Sequence, residues 1–269
     1  MTSIAVDGEG HRDVELALHL ADVAADIARP LFESGVRVEQ KPDGSPVTAA
    51  DFAVERELTR MLHIERPDDA WLSEEAGSSG HSHRRWIIDP IDGTEQFVAR
   101  QPSWGSHVAL EIDGCITVGV ITRPMRRLRW WAAQGGGAHR CREGQTGTGH
   151  RLRVSAVPSL RSANVSVWAE GPSPIAECLS SRTRLVEPGY DDYIDLIEGH
   201  LDAIVFPRIG VARVWDHAPA VVLTKEAGGR FRDPRGGTSI NDGTGVFTNG
   251  LVDDDLDDAI VALMAATEQ

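Results

Sequence analysis

The chain has 269 residues, 41% hydrophobic and 25% charged, the proportions of a folded protein with two packing units or one large two-lobed domain. Its formal net charge of −14 repels polyanions, which argues against a nucleic-acid partner or an anionic membrane surface. Three widely spaced cysteines with no CxxC, no basic-then-apolar N-terminus and no long apolar run speak against a disulfide framework, a secretory signal and a membrane span, so a cytoplasmic location is expected.

Between Val14 and Phe32, apolar residues recur at three-and-four spacing and predict an amphipathic helix. A turn-rich loop, Lys41 to Pro46, leads to a second helix through Phe52, Val54, Leu58 and Leu62, with Thr48 three residues before Asp51 at its start and Pro67 at its end. Short β-type runs follow at Trp86–Ile88, His107–Ile112, Ile116–Thr122 and Leu128–Ala132 and predict an antiparallel meander. Beyond a Gly/Thr-rich stretch from Glu143 to His150, strands at Asn164–Trp168, Arg184–Glu187 and Ala203–Phe206 alternate with helices around Ser173–Ser181 and Leu196. The last third reads as a helix (Asp216–Ala227), strands at Arg230–Arg232 and Gly245–Thr248, and a terminal helix from Asp253. The lobe boundary is expected between Gly144 and Pro158, giving lobes 1–150 and 151–269.

Chemistry concentrates in WIIDPIDGTEQF, Trp86 to Phe97, where an apolar strand runs into Asp89-Pro90-Ile91-Asp92-Gly93-Thr94. Two carboxylates three residues apart at a strand end call for a cation, and hard oxygen ligands suit Mg²⁺. Pro90 stiffens the turn, and the Gly93 and Thr94 amides open a helical turn that can face an anion. Taken singly, such acids are ordinary turn or cap residues. Ser73-Glu74-Glu75 after an apolar pair, and Trp215-Asp216 at a helix start, add further acids at the ends of regular elements.

WIIDPIDGT, SEE, WDHAPAVVLTKEAGG (Trp215 to Gly229), GSPVTAAD ending at Asp51 and the closing TNG together resemble the inositol monophosphatase superfamily of Mg²⁺-dependent, lithium-sensitive phosphatases. The resemblance spans nearly the whole chain and implies an α/β fold, the layered αβαβα sandwich of that superfamily. It also implies roles. Glu74, Asp89 and the Ile91 carbonyl would hold one Mg²⁺, Asp89, Asp92 and Asp216 a second, and a third would sit near Glu74. Thr94, with Asp51 behind it, would orient and deprotonate the attacking water, with Glu74 assisting. Gly93 and Thr94 amides would bind phosphate, and Lys41 would stand at the pocket mouth. A homodimer is likewise implied.

Arg208, in PRIG, replaces an acidic residue carried by many inositol and histidinol phosphatases, so it would either read a carboxylate or second phosphate or pair with Asp191 or Asp192. Gln96 replaces the family's Asn, and Tyr190 lies in the second loop expected to select substrate. The N-terminal half, with KPDGSPVTAAD and RRLRWWAA, most resembles histidinol-phosphate phosphatases. The expected function is therefore hydrolysis of a small-metabolite phosphate ester, inositol-1-phosphate-like or histidinol phosphate. The alternatives are a bisphosphate phosphatase acting on 3′-phosphoadenosine 5′-phosphate or fructose-1,6-bisphosphate, and a non-catalytic metal- and phosphate-binding protein. Among residues outside the site, Arg123, Arg126, Arg127 and Arg129 read as the solvated side of a strand and His81 and His83 as exposed. The three cysteines read as small buried hydrophobes, Trp104, Trp130 and Trp131 as core or dimer contacts, and His217 as a helix cap.

Overall fold

A computed structural model of the chain describes residues 8–145, 149–169, 171–233 and 236–267; Thr146 to Thr148 of the Gly/Thr-rich stretch lie outside the described residues. The chain divides into two compact units, Met1–Arg151 with Ala218–Leu223, and Leu152–His217 with Thr224–Gln269. Residues 218–223, placed with the C-terminal lobe by the sequence reading, thus pack with the first unit.

The first unit opens with α1 (Gly8–Ser34), whose apolar face buries Val14, Ala17, Ala21, Ala24, Ala28 and Phe32. A small antiparallel pair, β1 (Val38–Gln40) and β2 (Pro46–Thr48), encloses the turn that begins at Lys41. Helix α2 (Ala49–Glu65) starts with a capping box: Thr48 accepts from the Ala50 amide and Asp51 accepts from the Thr48 amide. Then come β3 (Ala70–Ser73), β4 (Gly77–Ser79), β5 (Arg84–Asp92), the short helix α3 (Thr94–Val98), β6 (Gly105–Ile112), β7 (Cys115–Arg123), β8 (Leu128–Ala133), β9 (Gly137–Arg142) and β10 (His150–Arg151). These form one eight-stranded sheet in the order β10-β9-β8-β7-β6-β5-β3-β4. The antiparallel meander runs from β5 to β10, while β3 joins β5 in parallel. Neither β3 nor β4 was predicted, because a four-residue AWLS and an exposed GSS carry too few residues for a period.

Phe97 of α3 and Trp104 pack on Phe32 with ring centroids 4.8–5.3 Å apart, which fixes the segment after β5 onto α1. On the sheet, Gly119 of β7 admits Pro219 so closely that a Cβ there would lie 2.7 Å from its carbonyl oxygen. Coverage of β7 and β8 corrects one expectation. Arg123 and Arg129 are only 1% and 2% exposed, whereas Arg126 and Arg127 are exposed as expected of the whole set. Arg129 reaches Asp22 at 2.5 Å and the Leu18 carbonyl at 3.2 Å, so its charge is buried with partners. Trp104, Trp130 and Trp131 belong to the core, and His81 and His83 are exposed. The cysteines are all free; Cys141 is buried, but Cys178 is only half-buried and Cys115, the first residue of β7, is exposed, contrary to expectation.

The second unit carries β11 (Asn164–Val167), α4 (Pro174–Ser180), β12 (Arg184–Val186), α5 (Asp192–Ile197), β13 (Ala203–Phe206), α6 (Val214–Glu226, apart from its middle residues), β14 (Arg230–Arg232), β15 (Gly245–Thr248) and α7 (Asp253–Thr267). Its five strands lie in the order β12-β11-β13-β15-β14, parallel across β12-β11-β13 and antiparallel beyond. Val165, Leu179, Val205, Val246 and Leu256 anchor its core. No helix among the described residues is long and apolar enough to cross a membrane.

Candidate metal centre

Strand β5 is buried from Trp86 to Ile91, as a strand covered on both faces must be, and its register against β6 shifts between Asp89 and Asp92. The bulge turns both carboxylates toward one place: ligand atoms of Asp89, Asp92 and His107 of β6 all lie within 4.8 Å of one another. Ser106 Oγ donates to the Pro90 carbonyl at 2.7 Å, which fixes the turn between the two acids. Gly93 follows with φ +83°, a left-handed conformation that glycine adopts without a Cβ clash. Helix α3, the helical turn that the Gly93 and Thr94 amides open, has only five residues, so it adds little dipole behind them.

Asp51, fully buried at the start of α2, links this turn to the helix. Its Oδ2 accepts from the Thr48 amide at 2.8 Å and hydroxyl at 2.6 Å, and Thr94 Oγ1 lies 3.2 Å from its Oδ1 and 3.1 Å from the Ile91 carbonyl. Burial pushes the Asp51 carboxyl up, and the bonds from Thr48 and Thr94 oppose that shift. Glu74 follows β3. Burial raises its carboxyl and the nearby Asp51 adds to the rise, while Lys41 and Asp89 pull it down. Glu75 is raised to about 7, first by burial and then by Glu74 and Asp51. Lys41 Nζ sits 2.6 Å from Glu74 and 2.5 Å from Glu75; these carboxylates hold its ammonium above the usual range against the effect of burial. Lys41 therefore faces the acids.

Asp92 behaves differently. Burial alone would raise it, but His107 and then Arg123 keep its carboxyl below the usual range, with His107 Nε2 and Arg123 Nη1 each 3.4 Å from Asp92 Oδ2. The sequence reading missed three residues here. His107 and Arg123 come from neighbouring strands with no local signal. Glu55 is one helical turn beyond Asp51, and its buried carboxylate accepts from Ser73 Oγ and from the amides of Glu75 (2.9 Å) and Ala76 (3.0 Å). That set pins the turn carrying Glu74, and the four-residue spacing from Asp51 was its only sequence trace.

Asp51, Glu74, Asp89, Ile91, Asp92, Gly93, Thr94 and Lys41 thus come together in the first unit. A divalent cation fits them: the donors are hard carboxylate oxygens, and those of Asp89 and Asp92 converge within 4.8 Å of one another. Three predicted residues lie in the second unit. Asp216, in the first turn of α6, accepts from the Arg213 amide at 2.6 Å. Tyr190 packs edge-on against Trp168, with ring centroids 5.8 Å apart. Arg208 is exposed and makes no ion pair among the described residues; Asp192 is instead bound by Ser166, Trp168 and the Gly189 amide. His217, expected to cap its helix, is fully buried and bonds the Tyr193 hydroxyl at 2.6 Å.

Comparison with known proteins gives a family-model match over residues 11–267, to the inositol monophosphatase family. The chain is 44% identical over 234 residues to a Streptomyces griseus protein named glucose-1-phosphate thymidylyltransferase, covering 86% of this chain and 89% of that one. It is 39% identical over 258 residues to a histidinol-phosphatase of Mycobacterium tuberculosis, covering 91% and 96%. Among solved structures, an IMPase of Thermotoga maritima superposes with a TM-score of 0.79 at 26% identity, covering 95% and 99%; the α/β fold class is therefore the expected one.

Proposed function

This chain belongs to the inositol monophosphatase family and is a phosphoric monoester hydrolase, and we propose that it is a Mg²⁺-dependent phosphatase of a small polar metabolite, with histidinol phosphate first among its substrates and an inositol-1-phosphate-like ester next. The observation that carries this reading is the convergence of Glu74, Asp89 and Asp92 beside the Asp51–Thr94 pair. Glu74, Asp89, the Ile91 carbonyl and Asp92 would hold two or three ions. Asp216 enters as a further ligand, and Tyr190 and Arg208 as substrate contacts, on the sequence resemblance alone. When bound, the metal lowers the pKa of the attacking water and neutralises the leaving oxygen.

The chain's own groups position the reactants. Thr48 clamps Asp51 Oδ2, leaving Oδ1 to receive the Thr94 hydroxyl proton. A water at Thr94 Oγ1 can then pass a proton to that oxygen while Thr94 passes its own to Asp51. Burial makes Asp51 a stronger base than an exposed carboxylate. The Gly93 and Thr94 amides orient the phosphate oxygens at the left-handed turn. Lys41 holds Glu74 and Glu75 in place.

The test is phosphate release from histidinol phosphate, inositol-1-phosphate, glucose-1-phosphate, fructose-1,6-bisphosphate and 3′-phosphoadenosine 5′-phosphate, with Mg²⁺ and with EDTA. Turnover of histidinol phosphate only with Mg²⁺ is expected. Equal release in EDTA would overturn the metal mechanism, and transfer from dTTP to glucose-1-phosphate without phosphate release would replace hydrolysis by nucleotidyl transfer. A bisphosphate phosphatase is the second reading, favoured by the exposed Arg208 guanidinium; preference for either bisphosphate would select it.

A further inference from the structure

His107 is paired directly opposite Asp89 in the antiparallel β5–β6 ladder, so both side chains project from the same face of the sheet. It is 1% exposed, neither ring nitrogen makes a hydrogen bond among the described residues, and Nε2 lies 3.4 Å from Asp92 Oδ2. A buried imidazole without a hydrogen-bond partner is costly unless something else engages its nitrogen lone pair. Its ligand atoms and those of Asp89 and Asp92 fall within 4.8 Å of one another, a span that one ion can bridge.

Arg123 adds a second element. Its guanidinium, also 1% exposed and held by the Thr122 carbonyl at 2.9 Å, reaches Asp92 Oδ2 at 3.4 Å. A fixed positive charge there offsets part of the negative charge that a hard ion such as Mg²⁺ depends on, while an imidazole donor favours ions of borderline softness. We propose that His107 is a nitrogen ligand to the cation held by Asp89 and Asp92, and that this site consequently prefers Mn²⁺ to Mg²⁺. The inference rests on the metal-dependent reading of the acid cluster and specifies which donor chooses the ion.

The test uses the full chain and Mn²⁺ as the probe. Electron spin-echo spectra of bound Mn²⁺, with unlabelled and ¹⁵N-histidine-labelled protein, read direct imidazole coordination independently of turnover. The wild type should show the nitrogen modulation, His107→Gln should lose it, and Mn²⁺ affinity relative to Mg²⁺ by competition calorimetry should fall about tenfold in the variant. If circular dichroism shows His107→Gln misfolded, His107→Asn serves in its place. The wild-type spectra and affinity ratio need no variant. Mn²⁺ bound without nitrogen coupling, or coupling that persists in the folded variant, would overturn the role of His107 while leaving the acid site intact. Equal wild-type affinities for the two ions would overturn the preference. Failure of wild-type protein to bind either ion would overturn both this inference and the metal-dependent mechanism.

Discussion

His107 of the first unit and His217 of the second are both almost fully buried, and the two have different surroundings. His217, in the second unit, lies among aromatic rings, 4.7 Å from Phe206 and 5.3 Å from Phe247 between centroids, with Nδ1 on the Tyr193 hydroxyl. Burial lowers it to about 4, so it is a neutral packing element. His107, in the first unit, faces Asp89 and Asp92 across a sheet ladder beside Arg123. Burial is nearly the same in both; what differs is whether the neighbouring groups can share an ion. Neighbours, not depth, separate a site from a core.

The largest expected effect that would sharpen this contrast is at Asp92. Asp92→Asn should lower kcat/KM by about 10³-fold, the equivalent of about 4 kcal/mol of metal-assisted stabilisation, with the circular dichroism spectrum unchanged. Near-wild-type turnover would remove Asp92 from the site. Glu55→Gln comes next. It weakens the three bonds that pin the turn carrying Glu74, so the Mg²⁺ concentration for half-maximal activity should rise about tenfold while kcat at saturating Mg²⁺ changes little. A fall in kcat with unchanged metal dependence would make Glu55 merely structural.

In the second unit, His217→Phe keeps a ring but removes the Nδ1 contact to the half-buried Tyr193 hydroxyl, and should cost about 1 kcal/mol in urea unfolding. No loss would mean that the hydroxyl finds another partner and that the aromatic packing alone holds this region. The smallest effect is at the exposed Arg208. Arg208→Ala should change stability by less than about 0.5 kcal/mol and raise KM severalfold only for esters bearing a second anionic group, as steady-state kinetics on mono- and bisphosphates would show.

Local patterns in the sequence carried much of this protein. Three-and-four spacing marked α1 and α2, although α1 is already helical at Gly8, six residues before the first apolar position of its face. Thr48 and Asp51 announced their capping box, and Asp89-Pro90-Ile91-Asp92-Gly93 announced an acidic turn at a strand end. These features are legible because each depends on residues a few positions apart. The resemblance of the same segments to inositol monophosphatases supplied the family and the candidate ligands.

Only the tertiary structure placed His107 opposite Asp89, Arg123 beside Asp92 and Glu55 under the turn carrying Glu74. It also buried Arg123 and Arg129, which alternation had put in solvent, and packed Pro219 of α6 against Gly119 of the first sheet. The physical reason is the same throughout: each of these placements joins segments distant in the chain. Strand register and the covering of a sheet's second face are set by pairings between distant segments, and a period of two gives the alternation of side chains without telling which partner, or whether water, lies across from them.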